Sequence, residues 1–174
     1  MNYKETFDTM IVAPKKVGQL DLLIARILKN KDKYLEVSNI TNVPWYALAP
    51  IHYREASLNF KCHLHNGDPL NARTKHVPAG RPIKGEPPFT WVESAIDAIK
   101  LKSWDKVTDW SIENTLALME AYNGLGYKKK GLPSPYIWSW SNNYSKGKYV
   151  ADGKFDPNFV DQQCGTAVLL KSLM

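Results

Sequence analysis

Apolar residues recur at near-helical spacing along much of the chain, interrupted by stretches where no period holds. Leu20, Ile24, Ile27 and Leu28 follow that spacing and predict a helix over 17–28. The polar run Asn30-Lys31-Asp32-Lys33 breaks it, and a short helix is expected over 34–37. Val43-Pro44 opens the next helix, since a first turn accepts proline. Trp45, Leu48, Ile51 and Leu58 make its inward stripe, and Pro50 inside it implies a kink or an irregular first turn. From Phe60 to Phe89 the pattern is lost. Gly67, Pro69, Pro78, Gly80, Pro82, Gly85, Pro87 and Pro88 mark turns there, with a small hairpin expected around 74–77. A loop this long inside a compact domain tends to carry function.

Helical order resumes at Thr90-Trp91-Val92-Glu93, which has the capping-box spacing and leads Trp91, Ala95, Ala98 and Ile99 onto one side. A further helix is expected from Ser111 to about Tyr122, with Ile112, Leu116 and Met119 inward and Gly124 and Gly126 ending it. The stretch 132–155 is aromatic-rich and reads as irregular. Asp156-Pro157 supplies an N-cap and a first-turn proline for a terminal helix carrying Phe159, Val160, Cys164, Ala167, Val168 and Leu170. The fold class expected is mainly α with an irregular, Pro/Gly-rich insert, as one domain over 1–174.

Composition narrows the picture. A chain of 174 residues, 44% hydrophobic and 23% charged, buries a core without staples. The net charge of +6 favours a polyanionic partner, either nucleic acid or the anionic bacterial wall. The basic residues are scattered, and the compact run Lys128-Lys129-Lys130 reads as a solvated loop. Cys62 and Cys164 lie outside any CxxC or Cys/His ligand spacing, so free thiols are expected and no metal or cofactor. No stretch is apolar enough to span a membrane. The opening MNYKETFDTM lacks the apolar region of a secretory signal, so synthesis in the cytoplasm is expected. Six Trp and nine Tyr supply rings for the core or for stacking on sugar faces.

Chemistry concentrates in Ile51-His52-Tyr53-Arg54-Glu55-Ala56-Ser57. A glutamate at the end of an apolar helix, just before a turn-rich loop, faces a cleft from a rigid mount. Half-burial there disfavours the ionised form, as a glycosidase acid requires. The alternative is a solvated Glu paired with Arg54. Asp68, in the turn His65-Asn66-Gly67-Asp68-Pro69, is a candidate base for positioning water if the loop folds back, and Asp97 is another. Glu93 is a rival acid whose capping-box position favours a structural role. Tyr122-Asn123 offers a hydroxyl and an amide for sugar contacts, or a buried Tyr with a C-terminal cap. A serine elbow and a phosphate-binding loop are both missing, and adjacent Cys62-His63 is the wrong geometry for a thiol protease.

Tyr53-Arg54-Glu55 and Ala121-Tyr122-Asn123-Gly124 resemble two signature motifs of the goose-type lysozyme and soluble lytic transglycosylase superfamily. There a catalytic Glu ends one helix, commonly followed by Ser, and an Ala-Tyr-Asn segment lines the cleft. Here Glu55 is followed by Ala56-Ser57, and Tyr122 and Asn123 lie 67 and 68 residues on. Ile51 to Glu55, Leu64 to Leu70, Val77 to Pro82, Pro88 to Trp91, Tyr122 to Gly124 and Pro133 to Ser139 also resemble a narrower group, the phage and bacterial "lysozyme family" proteins. The superfamily's Gly-Leu-Met-Gln type segment is replaced by the Pro/Gly-rich stretch 75–88, which leaves the sugar subsites open.

The resemblance implies an α+β lysozyme-like helical bundle around a substrate cleft. It implies cleavage of the β-1,4 bond between N-acetylmuramic acid and N-acetylglucosamine, with Glu55 as acid and Asp68 as second catalytic residue. His52, His65, Asn66, Arg81, Tyr122, Asn123, Tyr136 and Trp138 are the implied sugar contacts. The partner is then the peptidoglycan strand, met by a monomer that neither binds nucleic acid nor inserts into membrane. Such a protein reaches the wall through a phage holin or in a virion. Lytic transglycosylation is the alternative chemistry, and a non-catalytic wall-binding or virion module the alternative class.

Overall fold

The computed structural model describes residues 2–174. In chain order the helices are α1 (Tyr3–Asp8), α2 (Val17–Lys29), α3 (Lys31–Thr41), α4 (Trp45–Ala56), α5 (Trp91–Leu101), α6 (Ile112–Asn123), α7 (Gly126–Lys129), α8 (Pro135–Trp138) and α9 (Thr166–Leu173). Strands β1 (Lys148–Ala151) and β2 (Lys154–Asp156) pair antiparallel before α9. The protein is mainly α with a small β component. The chain forms two compact units, residues 1–25 with 111–174 and residues 26–110, the boundary falling within α2.

In the unit 26–110, α3 packs against both α4 and α5. The expected break falls at Asn30; α3 then starts earlier and ends later than the expected 34–37, with Asp32 suiting its first turn and Tyr34, Val37 and Thr41 buried on one side. Asn42, at φ 60°, ends it in the left-handed conformation. Helix α4 runs unbroken through Pro50, with Leu48 and Ile51 buried. Leu58 is buried too, but from beyond the helix, where Ser57 and Leu58 both take positive φ and turn the chain away. The capping box at Thr90 is present in full, and Trp91, Ala95, Ala98 and Ile99 are buried as expected. The hairpin expected around 74–77 does not form. Thr74 instead closes a loop, its amide donating to the Arg81 carbonyl at 2.8 Å.

In the unit 1–25 with 111–174, α6 packs against α1, α8 and α9. Leu116 and Met119 of α6 and Ala167 to Leu170 of α9 are fully buried. Helix α6 starts after Ser111 and ends at Gly124, at φ 107°, whereas Gly126 begins α7 instead of ending α6. The Lys171 ammonium donates to the carbonyls of Phe7 (2.8 Å), Asp8 (3.1 Å) and Met10 (3.2 Å), capping the end of α1. The stretch read as irregular over 132–155 contains α8 and β1.

Asp156-Pro157 does not start the terminal helix. Asp156 pairs with Lys148 in the hairpin, and its Oδ1 accepts the Asn158 amide at 2.8 Å. The same cap chemistry therefore makes a turn, and Phe159 and Val160 stay exposed. Helix α9 begins at Thr166, where Gly165 lies so close to the Ile137 carbonyl that any Cβ would overlap it. Cys62 and Cys164 are not joined in a disulfide, and the second is buried.

Candidate active site

Glu55 is the penultimate residue of α4 and is half-buried. Its mount is rigid because the helix is anchored by a cluster of rings. His52, one turn before it, contacts Phe60 at 4.6 Å and Trp91 at 4.8 Å between ring centroids, and Tyr34 closes the group at 5.4 Å from Trp91. His52 Nδ1 shares a 2.9 Å hydrogen bond with the Tyr34 hydroxyl. His52 was an expected sugar contact; the structure buries it completely, so its role is to hold α4. Its spacing, four after Leu48 and next to Ile51, already put it on the inward face.

Burial lowers the pKa of His52 from 6.5 to about 4. Above pH 6.5 the ring is neutral folded and unfolded alike; between that pH and about 4 only the unfolded chain takes up the proton. Stability is therefore expected to fall as the pH drops, by about 2 kcal/mol at pH 5 from this ring alone. Burial also lowers the pKa of His65, which adds in the same direction. Urea melts at pH 7 and pH 5 measure the loss, and His52→Gln is expected to shrink it; an unchanged difference would refute the assignment.

The loop after α4 folds back on it. Gly67, at φ 80°, lies against the Glu55 carbonyl so closely that a Cβ would overlap the oxygen. The turn is built locally, with Asn66 Oδ1 accepting the Asp68 amide at 3.0 Å and the Gly67 amide donating to the His63 carbonyl at 2.9 Å. Gly67→Ala meets both a left-handed backbone and a steric overlap. It is expected to cost at least about 2 kcal/mol and to displace the end of α4. Thermal melts and activity should fall together; a stable, fully active variant would show that the turn does not position Glu55.

Asp68 was the expected second carboxylate. Its Oδ2 accepts the amides of Lys75 (2.8 Å) and His76 (3.0 Å) and the Asn66 side chain (3.1 Å), and its Oδ1 meets His76 Nδ1 at 2.6 Å. Burial opposes the charge, but the His76 ring and these amides outweigh it and bring the pKa down from 3.8 to about 2. A carboxylate so fully engaged closes a loop; it is a poor proton acceptor. Asn66, expected to touch sugar, spends its amide on Asp68 and on the His76 carbonyl.

Asp97 is engaged as well. Arg81 grips it with two bonds, Nε to Oδ2 at 2.8 Å and Nη2 to Oδ1 at 2.9 Å. His65 Nε2 reaches Oδ2 at 2.8 Å. The Ser94 hydroxyl lies 2.8 Å from His63 Nδ1 and accepts the Leu64 amide, while His63 Nε2 faces the Ala72 carbonyl at 2.8 Å. That carbonyl can only accept, so Nε2 carries a proton. Arg81 and His65, both expected at the sugar, thus belong to a polar chain that ties the loop to α5. The chain was missed in the sequence, although His63 and His65 at i and i+2 were its visible half.

Glu93, the rival acid, is exposed, and its Oε2 accepts the Thr90 amide at 2.7 Å in the capping box. In the other unit, Tyr122 and Asn123 end α6, the first half-buried and the second exposed. Tyr136 and Trp138 are 3% and 1% exposed, so both are core rings and not the expected sugar platform. The next tryptophan, Trp140, is half-buried. Among the described residues no group of three or more His, Cys, Asp or Glu is arranged to hold a metal, and no helix is long and apolar enough to cross a membrane.

Comparison with known proteins gives no match: no family model, no curated protein and no solved structure matches this chain.

Proposed function

We propose that this chain cleaves the glycan strands of bacterial peptidoglycan between N-acetylmuramic acid and N-acetylglucosamine, with Glu55 as the proton donor. The observation that carries the reading is the mount of Glu55, half-buried at the end of a helix locked by rings and backed by the Gly67 turn. A general acid needs such fixed geometry, because proton transfer works only at hydrogen-bond range from the leaving oxygen. The motif resemblance supplies the substrate and a lysozyme-like fold. Glu55 gives its proton to the glycosidic oxygen, the C1–O bond breaks, and the glucosamine 4-hydroxyl leaves. A monomer acting on the wall after holin-type or virion delivery completes the reading, without a cofactor or nucleic acid.

A specific observation favours the transglycosylase form over water attack. Asp68 and Asp97, the carboxylates expected to activate water, both have their oxygens taken up by neighbouring donors. In the intramolecular route no second carboxylate is needed. The muramyl 6-hydroxyl attacks C1 and passes its proton to the Glu55 carboxylate, giving a 1,6-anhydro sugar. Mass spectrometry of digested peptidoglycan decides: anhydro ends are lighter than reducing ends by one water. Release of neither product, with wall binding retained, would instead mark a non-catalytic wall-binding module.

A further inference from the structure

The geometry points to a second glycan site, in the unit formed by residues 1–25 and 111–174, that takes a saccharide bearing a carboxylate. A cavity of about 460 Å³ opens there, lined by Lys15, Lys16, Trp140, Ser145, Asp161 and Gln162 among others. Trp140 is its half-buried ring. The indole is held in place: Nε1 donates to the Gln162 carbonyl at 2.9 Å, and the Lys16 ammonium sits 4.6 Å from the ring centroid. Lys16 also donates to Gln19 Oε1 at 3.1 Å, which fixes the cation over the ring. The backbone is pinned as well, because the Trp140 carbonyl accepts the Ala13 amide at 2.8 Å and Ser141 bridges to Val12.

Trp140 takes φ 73°, a left-handed conformation that a bulky aromatic residue rarely adopts and that costs backbone energy. The bonds to Ala13 and Gln162 and the bridge from Ser141 to Val12 hold it there, with the ring on the cavity wall while Tyr136 and Trp138 fill the core. An indole beside two lysines and polar groups is the recognition set for an acidic sugar: the ammonium over the ring meets the sugar's carboxylate, and the indole surface that Lys16 leaves uncovered meets its C–H face. The one acid on the lining does not oppose this. Asp161 is buried, with Oδ1 3.3 Å from the Lys148 ammonium and accepting the Gln163 amide at 2.9 Å. The muramyl unit carries such a carboxylate, and choosing it as the natural ligand rests on the function proposed above.

The test uses the full chain carrying Glu55→Gln, titrated with N-acetylmuramic acid and with neutral N-acetylglucosamine, neither of which has a bond to cleave. The Trp140 indole N–H signal, assigned by its loss in Trp140→Phe, is followed by NMR. It is expected to shift with N-acetylmuramic acid, with binding at least about tenfold weaker for the neutral sugar and for Lys16→Gln. Trp140→Gly removes the ring and relieves the positive φ, so binding should vanish while the melting temperature holds or rises. An indole signal that moves with neither sugar, or equally with both, overturns the site. Failure of the unsubstituted chain to lyse walls, with the indole shift intact, would overturn the cleavage reading alone.

Discussion

Glu55→Gln is expected to abolish wall lysis while leaving the fold intact. Glutamine keeps the size and hydrogen-bonding reach of the side chain but has no proton to give to a leaving oxygen. Loss of a general acid slows such reactions by about 10²–10⁴-fold, enough to erase clearing in a turbidity assay on purified peptidoglycan. Stability should change by no more than about 1 kcal/mol, the net worth of a typical hydrogen bond, because the ring cluster and the Gly67 turn are untouched. Glu93→Gln is the matched control. Its carboxylate caps α5, so that variant should lose some stability and keep its rate. A folded, fully active Glu55→Gln protein would remove Glu55 from the chemistry, and an inactive Glu93→Gln would move the acid to the neighbouring helix.

The largest stability effect is expected from Asp97→Ala. This carboxylate is 16% exposed and is the shared partner of the Arg81 guanidinium and of His65, whose side chain is fully buried. Removing it leaves the Arg81 charge facing a site built for its opposite. Breaking a buried ion pair from one side costs about 3–5 kcal/mol, and the slight exposure here places the loss near about 3 kcal/mol. For a chain of this size that lowers the melting temperature by roughly 6–12 °C. Arg81→Ala should cost less, because His65 still faces Asp97. The double variant should be less damaged than the two losses added together, since both remove one interaction. Strictly additive losses would mean that the pair does not couple the loop to α5.

Much of the helical framework was legible from short-range pattern. The capping box at Thr90, the inward stripe of α5, the start of α6 after Ser111 and the span of α2 all depend on residues within one or two turns of each other. The Asn66-Gly67-Asp68 turn was legible for the same reason. Reading failed where a local signal admitted two outcomes. Asp156-Pro157 carries genuine cap chemistry, but pairing with Lys148 spent it on a turn after β2. The break after α2 does fall at Asn30, but Lys31 to Lys33 belong to the next helix, since polar residues suit a helix's outer face.

The place of Glu55 was the part of the candidate site that the sequence determined by itself: an acid at the end of an apolar helix, ahead of a glycine turn, is written in spacing, whereas the rings that hold the helix come together only in the fold. Which other groups remain available to a ligand was decided only by tertiary structure. His52, His65, Asn66, Asp68 and Arg81 have the right chemistry for a sugar site, yet each is buried or spent on protein partners. Tyr136 and Trp138, expected as sugar contacts, are core, while Trp140 is half-buried. The physical reason is that a side chain's identity sets what bonds it can make, but burial and the partners that long-range packing delivers set which of those bonds it has already made.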